Sequence, residues 1–217
     1  MFSNIGNITV ENLNKKFGKH QVLEKLNLVI TKGEMTTIFG PSGAGKSTLL
    51  NIIGLVESAD SGVVKVFGKE IPNVNSREAT GWRRNKLDYL FQNFGLIDDK
   101  TVKANLDISL VYKKLRKKDK LNQQIKALQD VGLDVNYLKM KVHDLSGGEQ
   151  QRIAIAKTIL KDADVILADE PTGSLDEENK KRIAELLVDL KNKGKTVVIV
   201  SHDRYFESIS DKCVYIK

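Results

Sequence analysis

The segment GPSGAGKST, from Gly40 to Thr48, combines residue types and a spacing that suit the binding of phosphate groups. Its glycines allow backbone N–H groups to turn inward around an anion, and a following helix would add a favourable dipole. Lys46 supplies a cation for β- and γ-phosphates, and the Ser47 hydroxyl is a suitable ligand for Mg²⁺. The pattern G-x-x-x-x-G-K-[ST] is complete and lies between a β-rich run and a helical run, which favours a nucleotide site over a flexible turn. The candidate nucleotide-binding residues in this segment are Gly40, Pro41, Ser42, Gly43, Ala44, Gly45, Lys46, Ser47 and Thr48.

Two further predicted strands deliver acid–base residues. The apolar run VILA ends in Asp169 and Glu170, and the run TVVIVS is followed by His202. Ligands in open α/β sheets bind at the carboxyl ends of the strands, so Asp169 is a candidate Mg²⁺ residue and Glu170 a candidate base for an attacking water. Considered alone, DVILADE also fits a strand followed by an acidic turn facing solvent. A neutral imidazole at His202 is able to donate to a phosphate oxygen, whereas His20 and His143 are interpreted as structural.

The segment LSGGEQ, Leu145 to Gln150, has the character of a second anion-binding turn. Ser146 is a suitable N-cap, and Gly147 and Gly148 permit close approach to the backbone at a helix N-terminus. A second consecutive glycine costs helix stability, which indicates that a ligand or a partner comes close. Ser146 lies 101 residues after Gly45, so one modest chain carries two candidate phosphate-binding segments. The residues alone do not say what the second one binds.

The rest of the sequence describes the elements that must position these residues. Period-two runs in ITVENL, LEKLNLVI and GVVKVFG predict strands in the first third, and short apolar runs before Gly40, Asp169 and His202 predict buried strands. From about Val102 to Leu160 the pattern is mostly helical. Strands buried on both faces and separated by helices indicate a mainly parallel α/β sheet. We therefore expect an α/β core with a helical insertion.

Composition restricts the partners and the compartment. The 217 residues include 35 Lys+Arg and 28 Asp+Glu, a net charge of +7, which favours anionic partners without selecting among nucleotides, lipids and nucleic acids. The single cysteine, Cys213, excludes an internal disulfide framework and suits a reducing cytoplasm. The sequence has no secretory signal pattern near its start and no apolar run of roughly 20 residues. Any membrane-spanning part is expected to come from another polypeptide.

In this order, GPSGAGKST, LFQNFGL, LSGGEQQR, VILADEP, GSLD and SHD closely resemble the motifs of the nucleotide-binding subunit of ABC transporters. The likeness covers essentially the whole chain, and LSGGEQ in combination with the other motifs makes it highly specific. It implies an α/β fold with a P-loop NTPase (RecA-like) core, an N-terminal antiparallel β region and an inserted helical subdomain. The implied division of one ABC ATPase domain, 1–217, is a core of 1–92 and 161–217 and a helical subdomain of 93–160.

The resemblance also implies roles for individual residues. Gln92 corresponds to the glutamine that senses Mg²⁺ and water and links the site to a membrane partner, and His202 corresponds to the switch histidine. Asp176 corresponds to a loop residue that crosses a dimer interface, and Phe17 to an aromatic that stacks on adenine. The implied catalytic residues are Glu170, His202 and Gln92, and the implied metal residues are Ser47, Gln92 and Asp169.

The resemblance gives LSGGEQ a place in a dimer. Two chains arranged head to tail would bring Ser146, Gly147, Gly148 and Gln150 of one chain to the γ-phosphate held by Lys46 of the other. ATP and Mg²⁺ are the implied cofactors, and ATP would close the dimer. Replacing Ser146 by Arg should then spare ATP binding by the monomer and abolish ATP-driven dimerisation.

Within the family, IIGLVESADSGVVKVFGKEI and LFQNFGLIDDKTVKANLDISLVY are similar to the branch of macrolide exporters, lipoprotein-releasing ATPases and peptide-export systems. This similarity implies an ATPase on the cytoplasmic face of the membrane that drives a separately encoded transmembrane permease and exports a peptide, lipoprotein or drug-like substrate. One departure is IAIAKTIL after LSGGEQQR, where relatives often have an Arg-Ala pair. We expect that departure to affect packing only.

Two alternatives belong to other functional classes. A mechanical or signalling ATPase of the cell-division type would keep every catalytic residue while transporting nothing. A nucleic-acid ATPase is disfavoured, because the interval between Gly45 and Ser146 leaves no room for a long coiled coil, and no nucleic-acid partner is expected. The basic run Lys113 to Lys120 is interpreted as a solvated helical face.

Overall fold

The N-terminal part of the chain forms an antiparallel sheet. The computed structural model describes residues 7–173 and 175–216. Strands β1 (Ile8–Phe17), β2 (His20–Ile30), β4 (Ser61–Val66) and β5 (Lys69–Glu70) lie in the order β2-β1-β4-β5. The period-two alternation of β1 slips between Val10 and Leu13, which are both buried, because the register shifts there and Asn12 adopts a positive φ of 48°. The predicted strands ITVENL, LEKLNLVI and GVVKVFG are confirmed.

The second sheet is parallel and carries the candidate site. It contains β3 (Met35–Phe39), β6 (Leu87–Leu90), β7 (Val165–Asp169), β8 (Thr196–Val200) and β9 (Lys212–Tyr215) in the order β6-β7-β8-β3-β9. Every pairing in it is parallel. β3, β7 and β8 are buried along their whole length. The expected mainly parallel α/β sheet is therefore confirmed, and the antiparallel sheet accompanies it as the resemblance implied.

The described residues also form seven α-helices. They are α1 (Lys46–Ile53), α2 (Arg77–Asn85), α3 (Val102–Ser109), α4 (Lys117–Asp130), α5 (Gly147–Lys161), α6 (Glu177–Asn192) and α7 (Tyr205–Ile209). Two short 3₁₀ helices, Val135–Lys139 and Val142–Asp144, lie between α4 and α5. The mostly helical character expected from about 102 to 160 is confirmed. Among residues 7–173 and 175–216, no helix is both long enough and apolar enough to cross a membrane.

Two hydrophobic cores lie on opposite faces of the parallel sheet. Along β7, Val165 and Leu167 join the core that includes the antiparallel sheet and α1, while Ile166 and Ala168 join the core that includes α3 to α6. β8 alternates in the same way. Burial on both faces explains the continuous apolar runs of these strands, and it fixes the direction in which their carboxyl ends emerge. The buried strands therefore fix the positions of the segments that follow Phe39, Asp169 and Val200.

Candidate nucleotide-binding site

The loop between β3 and α1 is shaped to surround an anion. Gly45 adopts a φ of +81°, and a Cβ atom placed on it would lie 2.6 Å from Leu23 Cδ2 and 2.8 Å from the carbonyl oxygen of Val22. Only glycine tolerates both that backbone conformation and that contact. Lys46 is the first residue of α1, and its Nζ donates hydrogen bonds to the carbonyl oxygens of Gly40 (2.8 Å) and Pro41 (2.9 Å). The carbonyl oxygens of the loop thus hold the Lys46 amine within the loop, at a helix N-terminus.

A hydroxyl and a carboxylate meet behind this loop. Ser47 Oγ donates to Asp169 Oδ1 over 2.9 Å, which joins the start of α1 to the end of β7. Burial raises the pKa of the Asp169 carboxyl, with hydrogen bonds from Ser47 and Tyr89 acting in the opposite direction. The Tyr89 hydroxyl shares its one proton between two acceptors, Asn51 Oδ1 at 2.8 Å and Asp169 Oδ2 at 3.4 Å. Asp169 is therefore held from two sides, by Ser47 and by a tyrosine that the sequence interpretation missed.

The candidate base lies beside the candidate switch histidine. Glu170 follows β7 with a positive φ of 46°, and its backbone N–H donates to the carbonyl oxygen of Val200 at 2.9 Å. Its carboxylate accepts a hydrogen bond from Ser201 Oγ at 3.4 Å and lies 3.0 Å from His202 Nδ1. A left-handed conformation is costly for a glutamate, and it turns this residue away from the course of the strand. The turn brings Glu170 and His202 together, although the two residues follow different strands.

One cavity collects most of the predicted phosphate, metal and catalytic residues. It has a volume of about 620 Å³ and is lined by His20, Val22, Gly40, Ser42, Gly43, Gly45, Lys46, Ser47, Thr48, Gln92, Glu170 and His202. His20 was interpreted as structural, yet it is exposed on this wall. Its position at the start of β2, in the same cavity as the glycine-rich loop, is a tertiary feature for which the sequence has no local signal. Pro41 and Ala44 belong to the same loop without lining the cavity.

Four predicted binding residues are placed elsewhere in the chain, at LSGGEQ. Ser146 caps α5 in a capping box with Glu149: its Oγ accepts from the Glu149 N–H, and its own N–H donates to Glu149 Oε2 at 2.8 Å. Gln150 Nε2 donates to the carbonyl oxygen of Leu145 at 2.9 Å. The N-cap prediction for Ser146 is confirmed. Within the described residues, Ser146, Gly147, Gly148 and Gln150 do not line the cavity that contains Lys46.

Gly148 has a reason to be glycine inside its own chain. A Cβ atom on it would lie 2.5 Å from Cγ and Oδ1 of Asn179, near the start of α6. Asn179 is itself bound to Asp176, the N-cap of α6, whose Oδ1 accepts from the Asn179 N–H at 2.9 Å. The expectation that the second glycine indicates a nearby ligand or partner was therefore incomplete. Asp176 is connected to LSGGEQ through Asn179, and within the described residues it does not line the cavity that contains Lys46.

Phe17 and the segment IAIAKTIL, which contains Lys157, lie away from the lining of this cavity within the described residues. Phe17 is exposed at the end of β1, with the Lys15 amine 5.1 Å from its ring centroid, and within the described residues it does not line the cavity. Its stacking on adenine stays a prediction. Lys157, from IAIAKTIL, is more than a packing residue, because its Nζ donates to the carbonyl oxygen of Gly95 at 2.6 Å. That bond ties α5 to the segment that follows Gln92, and burial lowers the pKa of the Lys157 amine.

Comparison with known proteins places this geometry in a family. The family profile described as "ABC transporter" matches residues 23–173, which is more than half of the chain. The chain belongs to the ABC transporter family. A solved structure described as the dimeric structure of MJ0796, a bacterial ABC transporter cassette, superposes with a TM-score of 0.89 at 35% identity, covering 97% of this chain and 94% of that one. A second structure of that cassette is described as a post-hydrolysis state bound to ADP and Pi.

Curated relatives of this ABC cassette include two kinds of protein. The lipoprotein-releasing system ATP-binding protein LolD of Bacteroides fragilis is 37% identical over 210 residues, covering 96% of this chain and 97% of the relative. The macrolide export ATP-binding/permease protein MacB of Pasteurella multocida is 36% identical over 214 residues, covering 97% of this chain but only 33% of the relative. This chain therefore corresponds to a third of that longer protein. It is an ATP-binding, ATP-hydrolysing subunit of an ABC transporter, as its motifs implied.

Proposed function

We propose that two copies of this chain form a head-to-tail dimer that hydrolyses ATP to drive a separate transmembrane permease from the cytoplasmic face of the membrane. The observation that carries the proposal is a separation: most of the phosphate-binding residues and all of the candidate catalytic residues line one cavity, whereas LSGGEQ lies outside it within the described residues. A second chain is the simplest source of the missing half of the site. The similarity to LolD and MacB supports export of a lipoprotein, peptide or drug-like substrate.

The residues of the cavity have distinct roles in the proposed reaction. Lys46 would exchange its bonds to the Gly40 and Pro41 carbonyls for bonds to β- and γ-phosphate oxygens. Glu170 would orient a water molecule in line with the γ-phosphate and accept its proton as the oxygen attacks phosphorus. With its proton on Nδ1, His202 donates to Glu170 and so restrains the direction of the carboxylate, 3.0 Å away. Gln92, which lines the same cavity, would contact the attacking water or the metal.

The donors near Ser47 fit Mg²⁺. Magnesium prefers hard oxygen ligands in a small octahedral shell and usually keeps several waters. Ser47 Oγ and Asp169 Oδ1 lie 2.9 Å apart, Gln92 lines the same cavity, and all three side chains offer oxygen. When bound, the ion would neutralise charge on the phosphate oxygens. Ser47 would be a direct ligand, and Asp169, which lies behind it, would act through a bound water.

A groove beside Gln92 is the proposed seat for the permease. It has a volume of about 270 Å³ and lies between the parallel sheet and the helices α3 and α5. Its walls include three exposed apolar side chains, Phe91, Ile108 and Tyr112, of which Tyr112 is 64% exposed. Exposed apolar surface of this kind, with basic residues at its border, suits an apolar helix or loop that carries acidic residues. Because Phe91 precedes Gln92, movement of the permease would reach the nucleotide site directly.

Mixing two inactive variants tests the shared site. Lys46→Ala disables the phosphate loop and leaves LSGGEQ intact, while Ser146→Arg blocks LSGGEQ and leaves the loop intact. Each alone should lose ATP hydrolysis, measured as phosphate release. In a head-to-tail dimer of one variant with the other, one of the two sites combines an intact loop with an intact LSGGEQ. Random pairing should therefore restore about a quarter of the unmodified rate.

The control for this experiment is ATP binding by the separate variants. Ser146→Arg should bind a fluorescent ATP analogue as the unmodified monomer does, because Ser146 lies outside the cavity. Loss of its hydrogen bonds in the capping box costs about 1 kcal/mol, too little to unfold the chain. If the mixture hydrolyses no more ATP than the two variants measured separately, each site is built within one chain and the proposal is wrong.

A further inference from the structure

A single amide bridges LSGGEQ and the residue that precedes α6. Asn179 Nδ2 donates to Asp176 Oδ2 at 2.7 Å, and Asn179 Oδ1 accepts from Arg152 Nη1 at 2.8 Å. Arg152 lies on α5, one turn after Gly148, and the amide of Asn179 fills the space where a Gly148 side chain would be. The start of α5, represented by Gly148 and Arg152, and the N-cap of α6, Asp176, thus meet at one side chain.

The chemistry of this position selects asparagine. A guanidinium only donates hydrogen bonds and an ionised carboxylate only accepts them. A side chain between the two must accept on one side and donate on the other, which an amide does. Hydrogen bonds from Asn179 also lower the pKa of the Asp176 carboxyl, which keeps that side chain ionised and able to accept. Aspartate at 179 would repel Asp176, and leucine would satisfy neither neighbour.

We propose that Asn179 is a positioning residue that fixes Asp176 to the first turns of α5, so that Asp176 and LSGGEQ meet the second chain as one preformed surface. The inference rests on the head-to-tail dimer proposed above. A surface that is ordered before association loses less conformational freedom when it binds, so the dimer gains affinity without any new contact across the interface. Asn179 acts through its neighbours in the same chain and is not placed in contact with the nucleotide.

The first experiment separates dimerisation from nucleotide binding. In a Glu170→Gln background, which should trap the ATP-bound dimer, Asn179→Leu keeps the approximate shape of the side chain and removes both bridging bonds. The ATP-dependent dimerisation constant, measured by light scattering, should weaken by about tenfold to a hundredfold. The affinity of the monomer for ATP should not change. Lys181→Leu, on the same helix and exposed, is the matched control and should dimerise normally.

The second experiment tests the contact itself by a double-mutant cycle. Gly148→Ala should lower the thermal unfolding midpoint of the otherwise unmodified chain, because the new methyl group must displace a side chain that is held by Asp176 and Arg152. In an Asn179→Ala background the same methyl group meets no amide, so Gly148→Ala should cost little further stability. Equal losses in both backgrounds would show that Gly148 and Asn179 are not coupled, and would overturn the inference.

The outcomes of the two experiments distinguish the inference from the dimer proposal. If Glu170→Gln itself stays monomeric with ATP, the head-to-tail dimer is wrong and the inference is wrong with it. If that protein dimerises and Asn179→Leu dimerises equally well, only the inference is wrong. If Asn179→Leu loses ATP affinity in the monomer together with dimerisation, the residue has a general structural role and the positioning role is rejected. Selective loss of dimerisation, with stability coupled to Gly148, supports it.

Discussion

Replacing Glu170 by glutamine removes the candidate general base while changing little else in the structure. The two side chains have nearly the same shape, and the Gln carbonyl oxygen is still able to accept from Ser201 Oγ, now 3.4 Å from the carboxylate. The backbone bond from residue 170 to the Val200 carbonyl does not involve the side chain. The fold and the positive φ of residue 170 should therefore be retained. What is lost is the capacity to accept a proton from water.

The expected size of the effect follows from that loss alone. General base catalysis contributes about 10²- to 10⁴-fold, so the barrier should rise by about 3–5 kcal/mol. The turnover rate, measured as phosphate release at saturating ATP, should fall by that factor. ATP affinity in an equilibrium titration should stay the same, because Lys46 and the glycine-rich loop are intact. A lasting ATP-bound dimer should then appear in light scattering.

The control for Glu170→Gln is Glu24→Gln, an exposed residue on β2. That variant should hydrolyse ATP at the unmodified rate. If Glu170→Gln also hydrolyses ATP at the unmodified rate, another group takes the proton and the assignment of the base is refuted. If ATP affinity falls along with turnover, Glu170 contributes to nucleotide binding and the separation of roles given above is wrong.

Two further predictions concern residues that support the site. Tyr89→Phe removes the hydroxyl near Asp169. The Mg²⁺ concentration for half-maximal hydrolysis should rise by about tenfold, because partners that orient a metal residue typically contribute that much. An unchanged Mg²⁺ titration would show that Tyr89 does not help to position Asp169. Tyr137→Phe removes the hydroxyl that donates to Glu149 Oε1 at 2.5 Å, the main cause of the lowered pKa of Glu149. Because that carboxyl has a folded pKa below the unfolded value of 4.5, its stabilising effect is present above that pH and is lost as pH falls through the folded pKa. Tyr137→Phe should therefore lower the free energy of unfolding by about 1 kcal/mol near neutral pH, and by less in acid. Urea titrations at several pH values would measure both differences. A difference that does not change with pH would show that the Tyr137 hydroxyl does not stabilise the ionised Glu149.

Much of the site was predictable because local chemistry dictates it. Gly45 and Lys46 occur in a loop whose backbone conformation needs glycine. Asp169 and His202 follow continuous apolar runs, which are typical of strands buried on both faces. Such features can be recognised from a few consecutive residues of the sequence. Parallel pairing of β3, β7 and β8 brings these residues to one edge of the sheet, where Gly45, Lys46 and His202 line one cavity and Asp169 lies behind it, bound to Ser47. The boundaries 1–92, 93–160 and 161–217 stay a prediction.

What escaped prediction depends on contacts between distant segments. Strand β6 is only four residues long and contains Asp88, which is satisfied by an ion pair with Lys161 at 2.7 Å. Helix α2 is polar and contains Gly81, and its buried residues are only Ala79 and Trp82, so the apolar pattern along its nine residues is too short to identify a helix. The neighbouring sequence does not reveal the roles of Tyr89 and Asn179, because each contacts a residue far away in sequence. Periodicity cannot reveal a bond between α5 and α6.

The position of β3 in its sheet has a consequence for how the chain is made. This strand, which leads into the glycine-rich loop, pairs only with β8 and β9 within the described residues, and both lie near the other end of the sequence. On the ribosome, residues 35–39 emerge long before either neighbour exists, so the chain must wait for the closure of a very long loop. We therefore expect the nucleotide site to form only after β8 and β9 have been synthesised. Nucleotide then stabilises only the finished fold and selects it from partly folded forms.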